Sequence, residues 1–444
     1  MYLSCREDII VRMKKFSQSL PLYWGNLWVK KGSLSVLDQA FFSGTNFILS
    51  ILLARWLTPD LYGIFALSFT IYLFFSGLYN AIILEPISVF ATSKFHDQFE
   101  QYLSGQFALH FIVTGVLGGL VICVVGIFYF LNIWGDLMIR ALFGVGVSLP
   151  FLLLLWLVRR LFYIKQNPAG ALRSTFIYFT CTMLGAYVIN SSAYRENIFL
   201  WFLLIGLTSL LGSIPILFSR KLKIFSRQVI AKWREYLHDQ WLFGRWIILA
   251  TFLYSVGTQT QIFITASYLG LHAAGAFKAV QNVMLPMFQV VASVSTLMLP
   301  SVSLEFGRSN YTAMRSKSFR VAGILALVAI LYETMLLFGA KYINLFLYDA
   351  NYTQFVWLIP VIGFIPLLNA FQTGFSLILR SLQKPVYYII DKAISAFVGV
   401  SSAFLFTVYW SVPGAIYSLI LVELATLVTY WWLYRKWFAV FLHR

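Results

Sequence analysis

Twelve stretches of roughly twenty consecutive apolar residues recur along this chain at near-even spacing, and that repetition constrains the fold more than any other feature. They fall at 34–57, 61–84, 105–131, 137–158, 174–192, 197–218, 246–268, 276–300, 318–340, 355–379, 386–409 and 413–434. The fifth is marginal in length; each of the others is long enough to cross a hydrocarbon layer of ~30 Å as a helix. Composition agrees: 60% of the 444 residues are hydrophobic and 11% charged, where a soluble protein carries about 25% charged residues. Inside lipid, only helices and closed barrels satisfy their own backbone. A barrel requires alternating segments of about ten residues, and these runs are continuous. The expected fold is therefore an all-α polytopic membrane protein of about twelve transmembrane helices.

The charge balance tests that count. Lys and Arg total 33 against 16 Asp and Glu, a net charge of +17. In a soluble protein this excess would suggest nucleic acid. Here it follows the connections instead, as expected where cytoplasmic loops collect Lys and Arg. With the N-terminus inside, all basic residues except Arg55, Arg140, Arg195, Lys278 and Lys341 fall on the cytoplasmic side. Removing any one helix scrambles the alternation. The reading is a multi-pass membrane protein with both termini cytoplasmic and no nucleic-acid partner. The first thirty residues interleave Arg6, Arg12, Lys14, Lys15 and Lys30 with apolar residues and form no signal-peptide core. Cys5, Cys123 and Cys181 form no spaced pair, and the five His residues show no metal-ligand spacing. No metal and no cofactor is expected.

The segment 219–245, SRKLKIFSRQVIAKWREYLHDQWLFGR, is basic and amphipathic and reads as a linker lying along the anionic inner leaflet. It divides the chain into a cytoplasmic segment 1–33, a six-helix bundle 34–218, the linker, a second six-helix bundle 246–434 and a tail 435–444.

The halves repeat. Between LARWLTPDLYGIFAL (53–67) and ITASYLGLHAAGAFK (264–278), a shift of 212 positions matches Ala54 with Ala266, Leu57 with Leu269, Gly63 with Gly275 and Phe65 with Phe277. Gln39, Ser43, Asn46 and Ser50, spaced by four, three and four, share one helix face. The same shift gives Thr251, Ser255 and Thr258, then Ile262. A polar face on one spanning helix is either glue between helices or the wall of a wet cavity, and its recurrence strengthens the cavity reading. Six helices separate the copies, so the repeat is parallel, with a pseudo-two-fold axis along the membrane normal, as in transporters that rock two bundles around a central site.

At this point the residues resemble a known group. LLARWLTPDLYGIFAL (52–67) resembles the first loop of polysaccharide-transport proteins, the O-antigen-type flippases of the multidrug/oligosaccharidyl-lipid/polysaccharide exporter superfamily. AGAFKAVQNVMLP (274–286) followed by TLMLPSVS (296–303) resembles the eighth-helix region of that superfamily. The resemblance implies a cavity lined by helices 1, 2, 7 and 8, open alternately to each side. Its implied cargo is an oligosaccharide on a polyprenyl pyrophosphate, moved from the inner to the outer leaflet for surface polysaccharide synthesis. Implied partners are that glycolipid, membrane lipids, H⁺ or Na⁺, and other polysaccharide-assembly proteins. Lipid II flippases of the superfamily generally have fourteen helices and an Arg in helix 8 where this chain aligns Gln281, which argues against lipid II as cargo.

Charges inside the spans are functional candidates by default, since each costs about 2.5–3.5 kcal/mol to insert. Glu423 near the middle of helix 12 and Glu333 in helix 9 are either paired within the second bundle or sites of ion coupling. Asp38 extends the polar face of helix 1 towards the inner interface, as a cavity residue or as an interfacial one. Arg55 and Lys278 either snorkel or form a cationic outer mouth for pyrophosphate or acidic sugars. Arg159, Arg160 and Arg245 are candidates to capture the headgroup on the inner side. Two rival functions share parts of this pattern. A drug or cation antiporter requires acids deep in the first bundle, where only Asp38 and Glu85 qualify. A membrane polymerase or ligase requires catalytic residues on a large outer loop; the longest outer connection, 341–354, has neither His nor Arg. Neither paired carboxylates nor a nucleophile elbow lies outside the spans, so the chain reads as a transporter and not an enzyme.

Overall fold

The computed structural model describes residues 22–91, 94–95, 98–217, 233–382 and 385–442. The chain begins with α1 (Leu22–Trp56) and α2 (Pro59–Tyr79), which continues through a π-helical turn, Asn80–Leu84, into Glu85–Phe90. Then follow α3 (Phe99–Phe130), α4 (Asp136–Ile164), α5 (Pro168–Asn190) and α6 (Ile198–Leu217). The second half comprises α7 (Trp233–Leu269), a broken helix α8a (Leu271–Asn282) and α8b (Leu285–Gly307), α9 (Tyr311–Tyr348) and α10 (Leu358–Ser381). Pro385–Leu442 is helical except at Ser411, whose φ of 55° is non-helical. The Ser395–Thr426 hydroxyl contact of 2.9 Å spans this point symmetrically. The segment is therefore an antiparallel hairpin of α11 (385–410) and α12 (412–442), and the twelve expected helices are all present.

Local chemistry sets the corners. Thr58 caps α2 by accepting from the Leu61 amide, with Pro59 in the first turn, where its missing N–H costs nothing, and Asp60 favoured by the helix dipole. Asn167 caps α5 and Asn310 caps α9 in the same way. Gly270, with φ of 87°, makes the reversal from α7 into α8a that a residue with a side chain would resist. Within α8, Pro286 has no N–H to give the Asn282 carbonyl, and the helix breaks at 283–284. The Tyr332 hydroxyl on α9 donates to the carbonyl of Val283 at 2.5 Å, satisfying a group the break exposes. In the first half, the His110 ring fastens three helices. Its Nε2 donates to the Pro150 carbonyl at 3.1 Å, which leaves Nδ1 to accept from the Tyr79 hydroxyl at 2.8 Å.

Because successive helices alternate direction, the described basic residues Arg160, Lys165, Arg173, Arg308, Arg315, Lys317, Arg380 and Arg435 gather at one end, here the basic end; Arg55, Arg140, Arg195 and Lys341 lie at the far end. Lys392 is an exception. Sequence position assigns it to a basic loop, but its side chain is 11% exposed and folds into the second bundle. Residues 218–232 of the expected linker lie outside the described residues, whereas 233–245 form the opening turns of α7. There the Tyr236 ring meets Tyr102 edge-on at 5.2 Å, and Gln240 donates to Gln106 at 2.5 Å, docking the start of α7 on α3.

The repeat has a physical centre. The 212-position shift takes Pro59, first residue of α2, onto Leu271, first residue of α8a. It also takes Gly63 onto Gly275, and these two glycines meet. A Cβ built on Gly63 would stand 2.1 Å from the Leu271 carbonyl oxygen; one on Gly275 would stand 2.2 Å from the Pro59 carbonyl oxygen. Each glycine thus faces the repeat-equivalent of the other's neighbour, the reciprocity a two-fold axis requires. Small residues permit such backbone approach between spanning helices. Gly63→Ala should lower the unfolding midpoint of the purified protein, equivalent to about 1–3 kcal/mol of overpacking. Gly119→Ala, whose Cβ would meet nothing within 4 Å, should leave the midpoint unchanged.

Candidate functional site

The predicted polar face of α1 divides into separate contacts along its length. Nearest the basic end, Asp38 is fully buried, and Arg159 of α4 donates to it through Nε at 3.3 Å and Nη2 at 2.7 Å. Tyr163 donates to Asp38 at 2.7 Å and Thr175 of α5 at 2.5 Å. The guanidinium also lies 3.8 Å from the centre of the Phe42 ring. This corrects two expectations at once: Asp38 lines no free cavity wall, and Arg159 is not free for a headgroup. Each neutralises the other inside the first bundle, where an unpaired charge would be costly.

A bridge leads out of that pair. Arg159 Nη2 donates to Gln39 Oε1 at 3.0 Å, Gln39 Nε2 to Ser43 at 3.1 Å, and Ser43 to Gln289 Oε1 on α8b at 3.3 Å. Asn46 stays within the first half, accepting from the Tyr178 hydroxyl at 3.1 Å. Further along, Ser50 and the Tyr62 hydroxyl of α2 lie 2.9 Å apart, and Asn282, the last residue of α8a, donates to them at 2.9 and 2.8 Å. All three residues are buried. At the far end Arg55 donates to the Phe346 carbonyl at 3.0 Å and lies 3.6 Å from Asp349, while Asn351 donates to the Arg55 carbonyl at 3.3 Å. Arg55 is thus a clasp between α1 and the end of α9. Lys278 is buried and donates to Gln281 at 2.8 Å, so these two candidates form a pair on α8a.

The repeat-equivalent seams between the halves differ. Along α2 and α7, Gly77 lets Thr251 approach so closely that a Cβ would meet its methyl at 2.8 Å. Gly244 likewise sits on the Ala81 carbonyl of the π-turn, at 2.7 Å for a built Cβ. Ser255 lines a small pocket of about 210 Å³ on this seam with Thr70, Phe74 and Gln259; Thr258 bonds back to the Tyr254 carbonyl. Along α1 and α8b the position equivalent to Gly77 is Gln289. There α1 and α8b approach each other little beyond the Ser43–Gln289 contact, whereas α2 and its π-turn pack along α7. The α2–α7 seam is shut; at the basic end the α1–α8b seam stands ajar, bridged by Ser43 and Gln289.

Arg160 and Arg245 lie at the basic end. Arg160 donates to Asn80 of the π-turn at 3.3 Å and lies 3.9 Å from Glu85; Arg245 is exposed beside Trp246. In the second bundle, Glu423 accepts from Gln372 of α10 at 2.7 Å. Glu333 of α9 packs its carboxyl against the backbone of Gly363, and its Oε2 has no hydrogen-bond partner among the described residues. No group of three or more His, Cys, Asp and Glu among the described residues is placed to hold a metal ion. Sequence reasoning missed Asn282, Tyr62, Gln289 and Asp391. Pro286, interrupting an apolar run, was the available signal for a functional break beside Asn282.

This architecture matches solved structures along 90% of the chain. An inward-facing multidrug resistance MATE family transporter of the MOP superfamily superposes with a TM-score of 0.69 at 12% identity, covering 97% of that protein. The fold is that of the MOP superfamily transporters. Lipid II flippase MurJ in an inward closed conformation gives 0.68 at 13% identity over 87% of its chain. A MOP superfamily transporter from Pyrococcus furiosus, described as having a binding pocket of reversed polarity, gives 0.61 at 12% over 94% of its chain. No known sequence family and no curated protein matches the chain.

The buried pair allows a direct test. Removing one partner leaves the other charged and uncompensated, so Asp38→Asn and Arg159→Met should each cost about 3–5 kcal/mol. The double variant should recover most of that loss, as a double-mutant cycle on thermal unfolding in detergent would show.

Proposed function

We propose that the protein is a flippase that moves a lipid-linked oligosaccharide, a glycan on polyprenyl pyrophosphate, from the inner to the outer leaflet during surface polysaccharide synthesis. The observation that carries this reading is the asymmetry of the seams: the far end is clasped, the α2–α7 seam is shut, and the α1–α8b seam opens sideways at the basic end. A cargo with a long hydrocarbon tail needs a lateral opening, because its tail stays in the bilayer while its headgroup enters. By the positive-inside rule the basic end faces the cytoplasm, which places this opening in the leaflet where such glycolipids are made. The moving units are the bundles 34–218 and 246–434, rocking about the glycine contact. Arg160 and Arg245 are the headgroup contacts on the inner side. Lys278, with Gln281, is the cation available deeper in, and Glu423 and Glu333 are the residues assigned to ion coupling. The antiporter reading gains no support from Asp38, whose carboxylate is engaged by Arg159, Tyr163 and Thr175.

Deleting the gene in its host should abolish the surface polysaccharide and accumulate its lipid-linked precursor on the inner leaflet, with tolerance of cationic drugs unchanged. Normal polysaccharide with heightened drug sensitivity would instead point to an antiporter. The opening itself is tested by cross-linking. In a variant lacking Cys5, Cys123 and Cys181, Ser43→Cys with Gln289→Cys should be joined by a short bis-methanethiosulfonate reagent, whose reach covers the gap that the glutamine side chain spans. That tether should block precursor export, and reduction should restore it. Export that continues in the cross-linked protein would exclude this seam as the entrance.

A further inference from the structure

The first bundle carries a groove on one flank, away from both seams. α3 and α4 touch backbone to backbone at mid-depth, where a Cβ on Gly118 would stand 2.7 Å from the Gly146 carbonyl oxygen. Two turns further along α3, a Cβ on Gly126 would meet nothing within 4 Å. That space belongs to a groove of about 500 Å³, walled by Ile122 and Gly126 of α3, Ile139 and Phe143 of α4, and Phe199 of α6. Pockets that take small ligands run from about 300 to 1,000 Å³. One wall is held firmly: the Phe143 and Phe199 rings stack 6.0 Å apart, and a Cβ built on Gly144 would stand 3.2 Å from the Phe199 Cα. None of the lining residues belongs to the second half, so cargo passing between the bundles does not meet this groove. Towards the far end the lining turns polar, with Tyr129, Arg140 and Asn197. Tyr129 and Ile122 are seven residues apart on α3, about 10 Å of helix. Polar mouth and apolar floor are therefore spaced as a lipid headgroup and the upper part of its chain are. Arg140 lies 2.8 Å from Asp136, and the two side chains are 60% and 61% exposed, so both charges are reachable from outside.

We propose that this groove binds one phospholipid of the far leaflet whose headgroup joins a phosphate to a primary ammonium, as in phosphatidylethanolamine. An acyl chain lies along the apolar floor, the phosphate on Arg140 and the ammonium on Asp136. A recess lined this way at membrane depth is filled by hydrocarbon, and the charged pair at its mouth selects the lipid that supplies it. The guanidinium fork matches phosphate oxygens, and a tyrosine beside it suits the interfacial level. A zwitterion laid against the Asp136–Arg140 pair in reverse order leaves no charge uncompensated. A purely anionic headgroup would bring its charge to Asp136 with nothing to offset it, and a quaternary ammonium has no N–H to donate. The site rests on no assignment made for the cargo.

Thermal unfolding of the purified, delipidated full-length protein in detergent tests the site, with dioleoyl lipids of ethanolamine, choline or glycerol headgroup added at equal mole fraction. The wild-type midpoint should rise with the ethanolamine lipid by mass action, and less with the other two. Gly126→Leu places a side chain where the structure has room for it, and leucine suits a helix better than glycine. Its lipid-free midpoint should therefore not fall, while its response to the ethanolamine lipid should vanish because the groove is filled. Gly119→Leu, on the same helix but outside the groove and likewise free of contacts within 4 Å, should keep the response. Arg140→Ala should lose the preference among the three lipids. Equal wild-type responses to all three, or a wild-type response in Gly126→Leu, would overturn the proposal. Should Gly126→Leu not fold, the exposed substitution Arg140→Ala decides: an intact preference overturns the proposal and its loss supports it. Either outcome leaves the flippase reading untouched.

Discussion

The structure depends on a contact in which nothing but backbone takes part. Where Gly63 and Gly275 meet, α2 and α8a approach until each carbonyl nearly occupies the other helix's missing Cβ. Dispersion and close backbone fit drive helix association in lipid, because burial of apolar surface gains little there. The contact also orders its surroundings. It fixes the depth of α8a against α2, which brings Asn282 to Ser50 and Tyr62, and it holds the far end where Arg55 reaches the end of α9. Two similar halves joined at one axial point are free to differ elsewhere, and the two seams do differ: glycine at 77 lets one close, and glutamine at the equivalent 289 spaces the other.

Beneath this lies a second layer of organisation, polar and confined to each half. The Asp38–Arg159 pair ties α1 to α4 and, through Thr175, to α5. The His110 ring ties α2, α3 and α4. In the second half Gln372 ties α10 to Glu423 of α12, the Ser395–Thr426 contact ties α11 to α12, and Lys392 of α11 reaches the Tyr254 ring of α7. Bonds that cross between halves run from α1 and α2 to α8 and the end of α9, and from α3 to the opening turns of α7. A molecule built this way is stiff within each bundle and weakest along the plane between them.

Much of this was legible from the amino-acid order. Helix count follows from apolar runs because lipid leaves the backbone no alternative, and the 212-position shift found helix junctions that coincide, Pro59 with Leu271. Side-chain partnerships were not legible. Period alone places Gln39, Ser43, Asn46 and Ser50 on one face; it does not say that Asp38 beside them meets an arginine from α4. Lys392 was misplaced for a related reason, since a lysine near a helix end normally marks a loop, and its inward course depends on Asp391 and on two tyrosine rings from different elements. Local pattern reports the direction of a side chain, whereas pairing depends on neighbours distant in sequence.

The break in α8 has a consequence for the kinetics of such a machine. Below 283–284 the helix is released from the glycine contact, and the Tyr332 hydroxyl already supplies the hydrogen bond that bending would otherwise leave unmade. Movement of α8b away from α1 then breaks one polar contact, the Ser43–Gln289 bridge. On its other side Met287, Val291 and Val302 are buried in a core shared with α9 and α10, and Glu305 is paired with Lys317 of α9. Opening at the α1–α8b seam is therefore carried by the second bundle as a unit, and its rate is that of the rocking itself.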